Sequence, residues 1–137
     1  MKKNIQFRVR YAETDAMGIV HHANYYVWFE MGRTEYLREM GFNYKDMEDE
    51  GLFSPVIETN CKYKRPAKYD DLITLETYIK DTGKARWSFG YRVLRDGELL
   101  AEGHTSHCFM DENGRPIILK RVNPELYQKM VDKNLLK

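Results

Sequence analysis

The sequence is short of cysteine, of long apolar runs and of charge of one sign, and each shortage excludes something. Only two cysteines, Cys61 and Cys108, occur in 137 residues. They stand far apart and lack metal-ligand spacing. Two thiols in a chain able to build its own core indicate a reducing compartment. No apolar run approaches the roughly 18 residues of a membrane span. The opening MKKNIQFRVRY has two lysines but no apolar stretch behind them, so no secretory signal is expected and cytoplasm is the expected compartment. Lys and Arg number 22 against 21 for Asp and Glu, a net charge of +1. That balance excludes a broad electrostatic nucleic-acid binder and a polybasic membrane-surface protein. No repeat, low-complexity run or Pro/Gly/Ser-rich linker marks a boundary, so residues 1–137 are expected to form one domain.

What is present is ample material for a core. Hydrophobic residues make up 42% of the chain. A chain of this length buries about two-thirds of its unfolded surface and folds without staples.

The order of periodic segments points to an α+β fold. Residues 4–11 alternate, with Ile5, Phe7, Val9 and Tyr11 on one face, which predicts a half-buried strand. From Asn24 the period changes to three or four. Tyr25, Trp28, Phe29, Tyr36, Leu37 and Met40 predict a helix of about four turns with a wide apolar face. Gly41 stands where a C-terminal cap belongs. Gly32, inside the helix, costs about 1 kcal/mol relative to Ala and suits close packing against a sheet.

Strand patterns follow at 55–64, 71–80, 85–94 and 98–110. Ile73, Leu75, Thr77 and Ile79 share one face, and Trp87, Phe89, Tyr91 and Val93 share another. Asp96-Gly97 is a two-residue hairpin signal, because both turn positions need positive φ. Asn113-Gly114 marks a further turn into the short apolar run Ile117–Leu119. Asn123-Pro124-Glu125 reads as an N-cap, a Pro at the first helical position and an acid in the first turn, opening a helix over about 124–134. One aromatic helix and a meander of strands predict a curved antiparallel sheet wrapped round the helix. Apolar residues at outward positions predict association with further copies.

The candidate chemistry lies in Asp15–Arg33, DAMGIVHHANYYVWFEMGR. Asp15 sits in a loop just before the helix, and taken alone it reads equally as a turn residue. His21-His22 lack a nearby Cys or a second acid at helical spacing, so no metal site is expected. Together the features say more. Gly18 lets the backbone bend closely, and the helix start offers free N–H groups that polarise a carbonyl. A carboxylate there can act as general base on water or attack directly. Residue chemistry alone reaches an acyl-group hydrolase and stops there. Cys61 and Cys108 read as strand fillers without an activating base. His104 and His107 fall on opposite faces of one strand.

The run Tyr11–Arg33 resembles the signature of hotdog-fold thioesterases of the 4-hydroxybenzoyl-CoA thioesterase family, and within it the YbgC-like acyl-CoA thioesterases. The matching positions are Thr14-Asp15, Gly18-Ile19-Val20, His22, Asn24-Tyr25, Trp28-Phe29-Glu30 and Arg33. Arg65–Asp71 resembles the family's turn into its next strand. The resemblance implies the hotdog fold, a sheet wrapped round one central helix. It implies dimers joined sheet edge to sheet edge, further association into tetramers, and active sites at the subunit interface. It makes Asp15 the catalytic carboxylate, as nucleophile or as general base. It makes the backbone N–H of His22 the group that polarises the thioester carbonyl, with its side chain placing water or thioester. Tyr25 and Trp28 become pocket residues or plain core. Lys84 and Arg86 become the cations for the phosphates of coenzyme A, with Arg65 and Lys68 as second choices. No cofactor and no metal are implied.

Three readings compete. The first is an acyl-CoA thioesterase, releasing a free acid and coenzyme A. The second takes its acyl group from an acyl carrier protein. The third is a hotdog subunit that binds acyl-CoA without turnover. A hotdog dehydratase ranks below these, because its helix is patterned differently.

Overall fold

The computed structural model describes all residues from Met1 to Lys137. Five strands, β1 (Lys2–Arg8), β2 (Val56–Tyr63), β3 (Leu72–Thr82), β4 (Trp87–Arg95) and β5 (Glu98–His107), form one sheet. Their order is β1-β3-β4-β5-β2, and every pairing is antiparallel. Four helices complete the chain: α1 (Asn24–Glu39), α2 (Tyr44–Asp49), α3 (Leu119–Val122) and α4 (Pro124–Asp132). This is the expected α+β hotdog arrangement, a sheet around α1.

The alternation of β4 explains the core. Trp87, Phe89, Tyr91 and Val93 point inward and are at most 1% exposed. They meet the aromatic face of α1: the rings of Phe29 and Tyr91 stack at 4.1 Å, and Tyr36 meets Phe89 edge-on. The helix comes close to β3 because Gly32 has no side chain. A Cβ there would lie inside van der Waals contact of Thr77 and Leu75. Gly41, at φ +89°, ends α1. The N–H of Phe42 donates to the Leu37 carbonyl and that of Gly41 to Arg38, closing the last turn.

The hairpin signals act as expected. Asp96 and Gly97 both take positive φ and join β4 to β5 with Arg95 opposite Glu98. Asn123 caps α4 by accepting from the Leu126 N–H at 3.1 Å. The first strand differs from its pattern. It ends at Arg8, and Tyr11 leaves the apolar face, 78% exposed, at the start of a 3-10 turn (Tyr11–Glu13). The backbone turns there because the Glu13 carboxylate accepts from the Arg10 N–H at 2.8 Å. The short helices α2 and α3 carry no strong period, so the sequence pattern does not announce them. Ile117–Leu119 leads into α3 rather than a strand, although Pro116 bridges to Met110.

Candidate active site

The segment between β1 and α1 folds back on itself as a tight hairpin. Its stem joins Glu13–Asp15 to Ile19–His21: the Asp15 N–H donates to the Ile19 carbonyl at 2.8 Å and the His21 N–H to the Glu13 carbonyl at 2.9 Å. Thr14 bridges to Val20. At the tip, Gly18 has φ +77° and donates to the Asp15 carbonyl at 3.0 Å. Asp15 itself is half-buried. Its Oδ1 accepts from the Met17 N–H at 2.8 Å, which pins the carboxylate through one oxygen and leaves the other without a protein partner.

His22 lies at the foot of the hairpin, two residues before α1. Most backbone N–H groups around it are used. His21 donates to Glu13, Ala23 to the His21 ring, Asn24 to the His21 carbonyl and Tyr25 to the His22 carbonyl. The N–H of His22 donates to nothing in the chain. Its carbonyl is held from the other side by the Tyr63 hydroxyl at 3.0 Å. The His22 ring is exposed and lies 4.3 Å from that of His21. A free amide at the positive end of a helix is a ready donor to a developing oxyanion.

One residue that the sequence reading passed over holds this arrangement together. Glu13 is only 4% exposed. Its Oε2 accepts from the Trp28 indole N–H at 2.8 Å, and its carbonyl takes the Asn24 side-chain amide at 3.0 Å. The hairpin is thereby fastened to the first turns of α1. A Glu next to a Thr-Asp pair gives no sequence signal of burial; its partners are Arg10, three residues back with its guanidinium at 3.5 Å, and a Trp fifteen residues on. Trp28 is fully buried and Tyr25 is 2% exposed, packed edge-on to Tyr63. Burial raises the Tyr25 hydroxyl above its ordinary range. Cys61 is pushed up to about 11 by burial, so its thiol stays protonated and poorly nucleophilic. No cluster of three or more His, Cys, Asp or Glu is placed to hold a metal ion.

Lys84 and Arg86 do not meet this hairpin within one chain. Both are exposed, in the turn before β4. The register runs Trp87 to His107 to Val56 at one end of the sheet, and Val93 to Ala101 to Tyr63 at the other. Arg86 belongs to the Val56 end and His22 to the Tyr63 end. Seven strand steps separate the two ends, roughly 23 Å. Beside Arg86 is an apolar cavity of about 440 Å³ lined by Ile57, Cys108, Phe109, Met110, Ile117 and Ile118 among others.

A curved sheet round a single helix, entered through a carboxylate-bearing hairpin, is the hotdog enzyme class. The chain belongs to the Thioesterase-like superfamily, whose model matches residues 9–133, and it is a thioester hydrolase. It is similar to YneP of Bacillus subtilis, 43% identical over 126 residues that cover 90% of each chain. It is also similar to the acyl-CoA thioesterase YbgC of Haemophilus influenzae, 38% identical over 105 residues, 76% of this chain and 77% of that one. Among solved structures, the DHNA-CoA thioesterase of Staphylococcus aureus superposes with a TM-score of 0.91 at 32% identity, covering 97% of this chain and 91% of that one. No helix is long and apolar enough to cross a membrane.

Proposed function

We propose that the chain hydrolyses acyl-CoA thioesters to a free acid and coenzyme A, with Asp15 and the backbone N–H of His22 as its chemical groups. The observation that carries this reading is the unpaired His22 N–H at the start of α1, held on the same hairpin as a carboxylate with one free oxygen. The thioester carbonyl accepts from His22. The free oxygen of Asp15 either takes a proton from attacking water or attacks the carbonyl carbon itself. In both routes negative charge builds on the carbonyl oxygen opposite the amide, and the C–S bond breaks to release the thiolate of coenzyme A. Tyr25 and Trp28 form the apolar backing of the helix start, and the His22 ring lines the entrance.

The productive unit is a pair of chains joined antiparallel through β2. That strand is a sheet edge with Val56 and Ile57 more than 40% exposed, an invitation to strand pairing. Antiparallel pairing sets the Val56 end of one chain beside the Tyr63 end of the other. Arg86 and Lys84 of one protomer then approach the His22 amide of its partner, where the phosphates of coenzyme A need cations. An acyl carrier protein as donor would need the same entrance. YbgC and the Staphylococcus aureus protein, both named for CoA thioesters, favour the free coenzyme.

The test is thiol release from a panel of acyl-CoA esters, with Asp15→Asn run alongside. The amide neither accepts the proton nor forms the acyl intermediate, so kcat falls by about a hundredfold or more while the fold is kept. An Asp15→Asn variant with parental turnover would remove Asp15 from the mechanism.

A further inference from the structure

Glu30 and Arg33 belong to the hairpin-to-helix signature, yet the chemistry above uses neither. Three arginines of the chain are not exposed: Arg33, Arg92 and Arg95. Arg92 holds Glu76 at 3.0 Å and Arg95 holds Asp71 at 2.8 Å. Arg33 has no carboxylate and no well-formed hydrogen bond. A half-buried guanidinium without a counter-charge is costly, because it has lost much of its water and gained nothing in exchange.

Arg33 lines a cavity of about 380 Å³ between α1, α2 and the start of β2. Two exposed carboxylates, Glu30 and Glu48, line the same space, and neither comes within ion-pair distance of Arg33. Tyr44 lines the same cavity, and its hydroxyl is buried without a hydrogen-bond partner. Burial raises the Tyr44 and Tyr91 hydroxyls above their ordinary range and the nearby Arg33 charge acts against it, yet the Tyr44 hydroxyl meets no partner at hydrogen-bond geometry. The Tyr91 hydroxyl is already engaged with Thr105 at 2.6 Å. The other cations at the rim are matched: Arg38 pairs with Glu35 at 3.4 Å and Lys45 with Asp49 at 3.2 Å. Arg33 and the Tyr44 hydroxyl are therefore an unmatched charge and an unmatched donor in one cavity of ligand size.

We propose that this cavity binds a carboxylate-bearing small molecule, with Arg33 as counter-ion and the Tyr44 hydroxyl as second donor. A carboxylate offers two oxygens to a planar guanidinium and still accepts a phenolic O–H. Glu30 and Glu48 at the rim repel a dianion such as phosphate more strongly than a monoanionic group. The ligand is a free carboxylic acid, because Arg33 lies about 14 Å along α1 from the helix start where the thioester carbonyl is held, beyond the reach of a short acyl tail.

The experiment titrates glutarate and inorganic phosphate into the whole protein by calorimetry, with Arg33→Met and Tyr44→Phe as variants. Glutarate binding needs no turnover, so it stands apart from the role of Asp15. The expected result is glutarate binding by the parent, weaker binding of phosphate, and a loss of about tenfold or more in Arg33→Met, the scale of one charged hydrogen bond. Tyr44→Phe loses several-fold. The ligand-free Arg33→Met protein melts no lower than the parent, since no partner is deprived. Glutarate binding by the parent that Arg33→Met loses supports the cavity. Equal glutarate binding by parent and Arg33→Met overturns it, and so does no glutarate binding by the parent.

Discussion

His107 shows how much one buried side chain contributes. It is fully buried between the Trp87 and Phe89 rings. Its Nδ1 faces the Ser54 carbonyl at 3.4 Å and therefore carries the proton. Its Nε2, 2.8 Å from the Thr105 hydroxyl, accepts from it, and Thr105 in turn accepts from Tyr91. Burial, with the charge of Arg33 behind it, lowers the imidazole to about 4. Its unfolded value is near 6.5, so between those limits the unfolded chain binds the extra proton. Stability is therefore full above about pH 6.5 and lost as the pH falls toward 4, by up to about 3 kcal/mol. Urea denaturation at a series of pH values should show this slope, and His107→Gln should flatten it. An unchanged slope in the variant would assign the acid sensitivity to other groups.

At the scale of elements, the approach of α1 to β3 is set by a missing side chain. Gly32→Ala adds about 1 kcal/mol of helix propensity, but its methyl would press on Thr77 and Leu75, both fully buried. Overpacking of that kind costs about 1–3 kcal/mol, so the variant should be less stable by roughly 1 kcal/mol. The urea midpoint measures it, and a midpoint that rises would mean the helix can shift outward freely. The same closeness matters to the site. The hairpin of Asp15 is tied to α1 through Glu13, Trp28 and Asn24, so a displaced helix carries the His22 amide with it.

At the scale of the whole molecule, the distance between Arg86 and His22 makes a prediction about assembly. If each site takes Asp15 from one chain and Arg86 from the other, two defective chains can complement. Asp15→Asn and Arg86→Ala, co-expressed with different tags and assayed at low acyl-CoA, form mixed dimers with one intact site each. Random pairing leaves about a quarter of all sites intact, so activity exceeds the mean of the two single variants. Activity at or below that mean would place both residues in one chain's site.

Sequence alone determined what depends on neighbours along the chain. The period of Tyr25, Trp28, Phe29, Tyr36 and Leu37 specified α1, Gly41 its end, and Asp96-Gly97 the hairpin between β4 and β5. It also singled out Asp15 and His22, because hairpin and helix start are contiguous and carry a recognisable signature. Contacts between distant positions were decided by the tertiary structure. Burial of the Glu13 carboxylate depends on an indole fifteen residues away, and the solitary charge of Arg33 on a tyrosine from α2. The separation of Lys84 and Arg86 from Asp15 follows from which end of the sheet each strand presents. A periodic pattern reports which way a side chain faces. Only the folded chain decides what stands opposite it.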